Sequence, residues 1–479
     1  MRPVPVVRTV LLTSLVALAA CADDPRDPSP LAPPDAPAAS AAVQDPDVPP
    51  RTQQRPGTFL ELSDAELWRY IAEGEGRAMV GLKAPGRNRG VWRGRVLLDS
   101  GEWAQARNAV LGQRGVTLLR DDDLLPRVEV KLAGPEALAA VRRLPLVDYV
   151  EPVQVETPLQ QFAGSGGCGW GSAWTGDRQY TASGDLYSQK FKAMRIPEAW
   201  IWSSGAGVTI GLTDTGISVN QAQLLSQFAT GESTGRTVRL FYVTHLGSAY
   251  DECGHGTRMA GIIVAPRDGR SVGGVAWKSN LISVRQANGV AAVSSSDAAG
   301  SVRAAAQNGS KVIVMAWESL NWWWQVSDEI EYWHYNRPIL FLGAAGTSGC
   351  GDGILDSNVV FPADMPEVMA VTGITYPGGG VPCGIHRGED VEVTAYLDVP
   401  STGRYTADVV TMGGSSNATA IIGGIAALVW SRTPSLTSDQ VRARLQQAGA
   451  YYPYRHPEQG YGLVDASWAV LGYDLGDLK

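Results

Sequence analysis

Gly413-Gly414-Ser415-Ser416-Asn417-Ala418-Thr419-Ala420-Ile421-Ile422-Gly423-Gly424-Ile425-Ala426-Ala427-Leu428 is the stretch around which the chain is organised. Small residues give way to an apolar run, so a serine hydroxyl is expected to ride at the N-terminus of a buried helix. Unpaired N–H groups and the helix dipole favour negative charge there, which suits a nucleophile or an oxyanion. A Gly-Ser turn with an N-cap has the same local pattern, so the stretch means little by itself.

Two stretches upstream change that. Val208-Thr209-Ile210-Gly211-Leu212-Thr213 is an apolar run ending in Asp214-Thr215-Gly216. It predicts a buried strand stopping in a tight turn, with the carboxylate at the strand's C-terminal edge. Gly254-His255-Gly256-Thr257-Arg258-Met259-Ala260-Gly261 places a Gly-flanked histidine at the start of a helix of small residues. An acid, a histidine and a serine are what acyl transfer needs: the serine attacks, the histidine carries its proton, and the carboxylate orients the imidazole.

With these blocks together the chain resembles the subtilases, the subtilisin-like serine proteases, whose acid, histidine and serine follow in that order. The resemblance implies Asp214 as orienting acid, His255 as general base and Ser416 as nucleophile. Gly274-Val275-Ala276, Phe361-Pro362-Ala363 and Gly460-Tyr461-Gly462-Leu463-Val464-Asp465-Ala466 resemble further family blocks. The expected fold is α/β, a mainly parallel sheet with helices on both faces and the triad at the strands' C-terminal edge. This catalytic domain is expected over residues 188–479.

The chain of 479 residues is longer than one ordinary domain,. A net charge of −8 without a basic run gives no case for nucleic acid,. Arg2 and Arg8 precede an apolar segment too short to span a bilayer, so residues 1–20 read as a signal peptide,. It ends Leu18-Ala19-Ala20-Cys21, which resembles the bacterial lipobox and implies lipidation at Cys21. The protein is expected to be exported, touching a membrane through that lipid only. Residues 21–57, rich in Pro, Ala, Asp and Ser, read as an extended tether. Cys168, Cys253, Cys350 and Cys383 suggest two disulfides with three pairings open; Cys350 with Cys383 is preferred, leaving Cys168 for Cys253,.

Residues 58–155 alternate helical and strand patterns, from a capping box at Ser63-Asp64-Ala65-Glu66 to Val147-Asp148-Tyr149-Val150-Glu151-Pro152,. They predict a small α+β sandwich. Ahead of such a catalytic domain it resembles the subtilase propeptide, which implies a folding aid that then caps the active site as an intramolecular inhibitor. Residues 156–187 read as a linker holding the maturation site.

Three departures from the family pattern stand out. Thr347, in Gly343-Ala344-Ala345-Gly346-Thr347, replaces the Asn that helps bind the oxyanion, leaving the Ser416 backbone N–H as the other donor. Loss of such a donor costs roughly 10²–10³ in kcat. Ala316-Trp317-Glu318 stands where the family has Ser-Leu-Gly lining the substrate cleft; an acidic group there either blocks the cleft or favours basic substrate residues. The Ser loop carries Ser415 and Asn417-Ala418-Thr419-Ala420 in place of Thr and Met-Ala-Ala-Pro. Downstream, Asn321-Trp322-Trp323-Trp324 either lines an apolar cleft or packs a helix into the core.

The reading is a self-processing serine endopeptidase acting on polypeptides, expected to be a monomer that requires no cofactor. Calcium is common in the family, but no ligand set maps onto particular residues. An aspartic-protease reading, from Asp214 and from Asp99-Ser100-Gly101, leaves His255 and Ser416 unexplained. A metal site at His255 lacks the companion spacing. The rival reading is a catalytically impaired subtilase-fold module that binds peptides or a partner.

Overall fold

In the computed structural model, residues 59–83, 101–154, 168, 171–290, 294–350 and 357–473 are described, with the backbone of short strand stretches at 10–11, 87–88 and 91–92. The expected signal peptide, the lipidation site Cys21 and the tether lie outside the described residues, except that the backbone of Val10–Leu11 pairs antiparallel with Leu240 and Arg239.

Residues 59–154 form a small α+β unit. Helix α1 (Asp64–Glu73) opens with a capping box in which Ser63 Oγ accepts the Glu66 N–H and the Glu66 carboxylate accepts the Ser63 N–H,. Strand β1 (Arg77–Leu82), helix α2 (Gly101–Leu111), strands β2 (Val116–Asp121) and β3 (Arg127–Leu132), helix α3 (Pro135–Arg142) and strand β4 (Val147–Pro152) follow. The strands make one antiparallel sheet in the order β2-β3-β1-β4. Ala78, Val80, Val128, Val130 and Val150 bury one face against Leu67, Ile71, Leu138 and Val141 of α1 and α3. Strand side chains alternate, so Arg127, Tyr149 and Glu151 emerge on the other face. That face meets the large unit.

The large unit contains β5 (Thr209–Asp214), β6 (Val238–Tyr242), α4 (His255–Val264), β7 (Asn280–Arg285), α5 (Ser295–Gln307), β8 (Val312–Met315), α6 (Trp324–Asn336), β9 (Leu340–Ala344), β10 (Val368–Ile374) and β11 (Val393–Tyr396). A hairpin, β12 (Val399–Thr402) and β13 (Val409–Met412), leads into α7 (Gly414–Arg432), α8 (Ser438–Gln447) and α9 (Ala466–Leu471). The seven strands β6-β7-β5-β8-β9-β10-β11 lie parallel in that order. Buried apolar strands such as Val312–Met315 and Val368–Ile374 demand cover on both faces,. Val312, Val314 and Leu342 pack with α4 and α7 on one side, and Ile313, Met315 and Phe341 pack with α5 and α6 on the other. The expected α/β architecture, preceded by a small α+β region, is what the chain adopts.

Helix α7 runs through the middle of the core. From Asn417 to Trp430 every residue is buried, as a helix apolar all round requires,. Two glycines permit the close approach: a Cβ at Gly423 would meet Val314 Cγ2 at 2.5 Å, and one at Gly424 would meet Val275 Cβ at 2.6 Å. The run read from the sequence is thus packed against the sheet at main-chain distance.

The tryptophan triplet takes the packing alternative. Trp322 and Trp323 are buried at the start of α6, and Trp324 stacks on Tyr149 of the small unit with ring centroids 6.2 Å apart. Around that contact the two units share hydrogen bonds. The Glu151 carboxylate accepts the N–H groups of Trp324 (2.7 Å) and Gln325 (3.0 Å), capping α6 from another part of the chain. Tyr149 donates to Asp328 (2.8 Å), Arg127 donates to the Gln325 carbonyl (2.6 Å), and Arg303 of α5 pairs with Asp122 (2.7 Å) and Asp123 (2.9 Å). Glu329 receives both Arg127 and Arg303.

Candidate active site

Asp214 ends β5 at the carboxyl edge of the sheet, next to β8 on one side and β7 on the other. The chain order reverses there, the place where open α/β sheets form crevices. Its Oδ1 accepts the Thr215 N–H at 2.7 Å, which fixes the carboxylate's plane. Both oxygens face His255 Nδ1, at 2.8 and 3.0 Å, and both residues are almost fully buried. With the proton held on Nδ1 by the carboxylate, Nε2 is left as an acceptor.

The helix bearing His255 is held from several directions. Thr215 Oγ1 accepts the Gly256 N–H at 2.8 Å. Asp251 accepts four bonds: the N–H groups of Cys253 (2.9 Å), Gly254 (2.7 Å) and Thr257 (3.0 Å), and the Thr257 hydroxyl (2.6 Å). Burial pushes the Asp251 acid up, against these bonds. Sequence reading missed Asp251, although an Asp just before a glycine-opened helix is a capping signal. A disulfide joins Cys168 to Cys253, so the segment entering the large unit is tied two residues ahead of His255. Cys350 and Cys383 form the second bridge.

Ser416 lies in the first turn of α7, where its N–H has no acceptor within the helix,. Among the described residues its Oγ makes one hydrogen bond, to the Ala316 carbonyl at 3.0 Å. Gly414 reaches that turn with φ +81°, a conformation that favours glycine,. Ser415, passed over in the sequence apart from its replacing Thr, is fully buried and knits the loops together. Its Oγ accepts the Gly346 N–H (3.2 Å) and lies 3.0 Å from Thr347 Oγ1, which accepts the Ser415 N–H (3.1 Å). Two hydroxyls share one hydrogen between them, so one further O–H remains to be donated.

The three residues expected in the substrate cleft divide. Ala316 offers its carbonyl to Ser416. Trp317 is a correction: its side chain is buried in the core and donates to Thr213 Oγ1 at 2.9 Å, because alternate residues of an extended segment point to opposite sides,. Glu318 turns toward Thr347, whose N–H it accepts at 2.9 Å. Burial pushes its acid up to about 7, with that single N–H opposing. Among the described residues no group of three or more His, Cys, Asp or Glu side chains could hold a metal ion.

Comparison with known proteins decides the family. Residues 205–463 match the Subtilase family. This chain belongs to the subtilases. The thermostable alkaline protease of Halalkalibacterium halodurans is 31% identical over 270 residues, which cover 56% of this chain and 68% of that one. Subtilisin DY of Bacillus licheniformis is 30% identical over 251 residues, covering 50% of this chain and 83% of that one. Among solved structures, fervidolysin from Fervidobacterium pennivorans, a keratinolytic enzyme, superposes with a TM-score of 0.61 at 20% identity, over 83% of this chain and 61% of that one. This subtilase is a serine endopeptidase by class; Asp214 at the end of β5 contacts His255, and Ser416 in the first turn of α7 meets the Ala316 carbonyl just past the end of the neighbouring β8.

Proposed function

We propose that the protein is an exported, self-processing endopeptidase that hydrolyses polypeptides through an acyl-enzyme formed on Ser416. The carrying observation is the buried contact of both Asp214 carboxylate oxygens with His255 Nδ1, which leaves Nε2 to act as base. Ser416 Oγ leaves the Ala316 carbonyl, passes its proton to Nε2 and attacks the substrate carbonyl. The new oxyanion takes the Ser416 N–H and the spare hydroxyl hydrogen of the Thr347–Ser415 pair. Asp214 stabilises the imidazolium, which protonates the leaving amine; water then repeats the sequence in reverse order of groups to release the acid.

In this reading residues 58–155 are the propeptide and inhibitor. The Glu151 cap on α6 and the charged contacts of Arg127 and Arg303 support a domain built to dock on the protease. The Cys21 lipid would sit on the propeptide side, so cleavage in the linker ahead of Cys168, which a disulfide ties to Cys253, separates the protease from its anchor. Among the described residues no helix is long and apolar enough to cross a membrane.

Intact mass of the purified chain over time, beside Ser416→Ala, tests the reading. The wild type alone is expected to cut itself between residues 156 and 187 and to gain the mass of one serine-reactive fluorophosphonate. If both chains stay whole and unlabelled, the binding-module alternative replaces it.

A further inference from the structure

Glu318 is an ionisable side chain close to the Ser416 loop that the acyl-transfer steps leave unused. It follows β8, two residues after the Ala316 carbonyl that accepts Ser416 Oγ. In an extended segment Ala316 and Glu318 share a side, while Trp317 turns the other way to Thr213,. Glu318 Oε2 accepts the N–H of Thr347, the residue whose hydroxyl meets the Ser416 loop. The carboxyl therefore spans the gap between the ends of β8 and β9, beside the Ala316 carbonyl that Ser416 Oγ meets.

This group is 7% exposed, and among the described residues it forms no ion pair. Its other oxygen has no hydrogen-bond partner among them either. A buried carboxylate without a cation is unfavourable, and either a proton or a positive group relieves it. Holding the Thr347 N–H needs only a neutral acceptor, which a glutamine supplies without the cost of burying charge. The unused acidic capacity thus points at a ligand rather than at the fold.

We propose that Glu318 is a specificity-determining residue that pairs with the ammonium or guanidinium of a Lys or Arg at the substrate residue that acylates Ser416. The proposal rests on the endopeptidase reading, with Ser416 as nucleophile. A Lys or Arg side chain entering between Ala316 and Thr347 brings its charge to the free oxygen of Glu318, while its methylene stem packs along the walls. A neutral side chain of the same length leaves the carboxyl uncompensated. An acidic one adds a like charge.

The test uses the self-processed full-length product and matched fluorogenic peptides carrying Lys, Arg, norleucine or Glu at the scissile residue, with fluorophosphonate labelling as an independent readout of Ser416. Lys and Arg peptides are expected to exceed norleucine at least about tenfold in kcat/KM. Glu318→Gln should collapse that ratio to within about threefold, and Glu318→Lys should turn the preference toward Glu. Labelling of both variants shows that their sites are folded. Wild-type enzyme that labels normally yet cleaves norleucine as well as Lys overturns the role of Glu318 and leaves the endopeptidase reading standing. A preference for Lys that survives in Glu318→Gln overturns it as well. A chain that neither labels nor cleaves any peptide overturns both.

Discussion

Asp251 Oδ2 accepts both the N–H and the hydroxyl of Thr257, at 3.0 and 2.6 Å, so the turn of helix that presents His255 is gripped from outside the helix. Asp251 Oδ1 takes two more N–H groups at the same turn. Asp251→Ala removes all four acceptor contacts and leaves buried donors unpaired, at a cost of about 2 kcal/mol or more in stability. Because the imidazole rides on that turn, kcat should fall by roughly tenfold or more through misplacement of Nε2. Thermal unfolding and steady-state kinetics check both effects, and wild-type kcat in Asp251→Ala would show that the cap serves the fold alone.

Thr347 stands where the resemblance to the subtilases implies an oxyanion-binding Asn. Its hydroxyl lies within hydrogen-bond reach of Ser415 Oγ, and together they retain one donor for an oxyanion. Thr347→Val keeps the shape and removes that hydroxyl. We expect kcat to drop by about 10² with KM little changed, the signature of a donor used in the transition state. A rise in KM at constant kcat would assign Thr347 to ground-state binding.

Glu151 makes the union of the two units depend on pH. Burial pushes its acid up to about 8, outweighing the N–H groups of Trp324 and Gln325; Asp328 raises it further and Arg127 lowers it. Tyr149, bonded to Asp328, completes the charged surroundings. The folded chain thus holds a proton that the unfolded chain gives up near the ordinary glutamate value of 4.5. Its contribution is most favourable below that value and is lost as pH rises toward 8. In the uncleaved Ser416→Ala chain, the melting temperature should fall between pH 5 and pH 9 (about 4.5 to 8 being the window of the shift). Glu151→Gln should flatten that fall; an unchanged slope would place the titrating groups elsewhere, Glu318 first.

The Cys168–Cys253 bridge closes a loop with a sequence separation of 85. Chain-entropy reasoning gives a loop of that length about 4.6 kcal/mol of stabilisation. Cys168→Ser with Cys253→Ser should lower the denaturation midpoint accordingly, most sharply in the uncleaved chain. Urea unfolding with and without reductant reads it directly: reductant should bring wild type toward the double variant and leave the double variant's response to this bridge absent.

What could be read without coordinates was local. The small-to-apolar switch at Ser416, the strand stop at Asp214 and the Gly-flanked His255 each specify a backbone state through short-range sterics and periodicity. The observed β5, α4 and α7 begin or end at or near those residues. The same holds for the capping box at Ser63 and Glu66, which closes over three residues. Such features depend on near neighbours, so the order of residues determines them, whereas the parallel sheet was legible only through the resemblance the motifs carry.

Tertiary structure decided everything that depends on partners far apart. Nothing in Ala316-Trp317-Glu318 tells which side chain enters the core; the hydrogen bond from Trp317 to Thr213, a residue 104 positions away, settles it. Glu151 caps a helix whose first residue lies 173 positions on. Ser415, rather than a more distant polar group, links Thr347 to the nucleophile's helix because β9 and α7 converge at one sheet edge. Four cysteines permit three pairings, and only packing brings Cys168 to Cys253,. The physical reason is common to all of these: periodicity specifies which face of an element is apolar, whereas the contact made by a given polar group depends on where several elements meet.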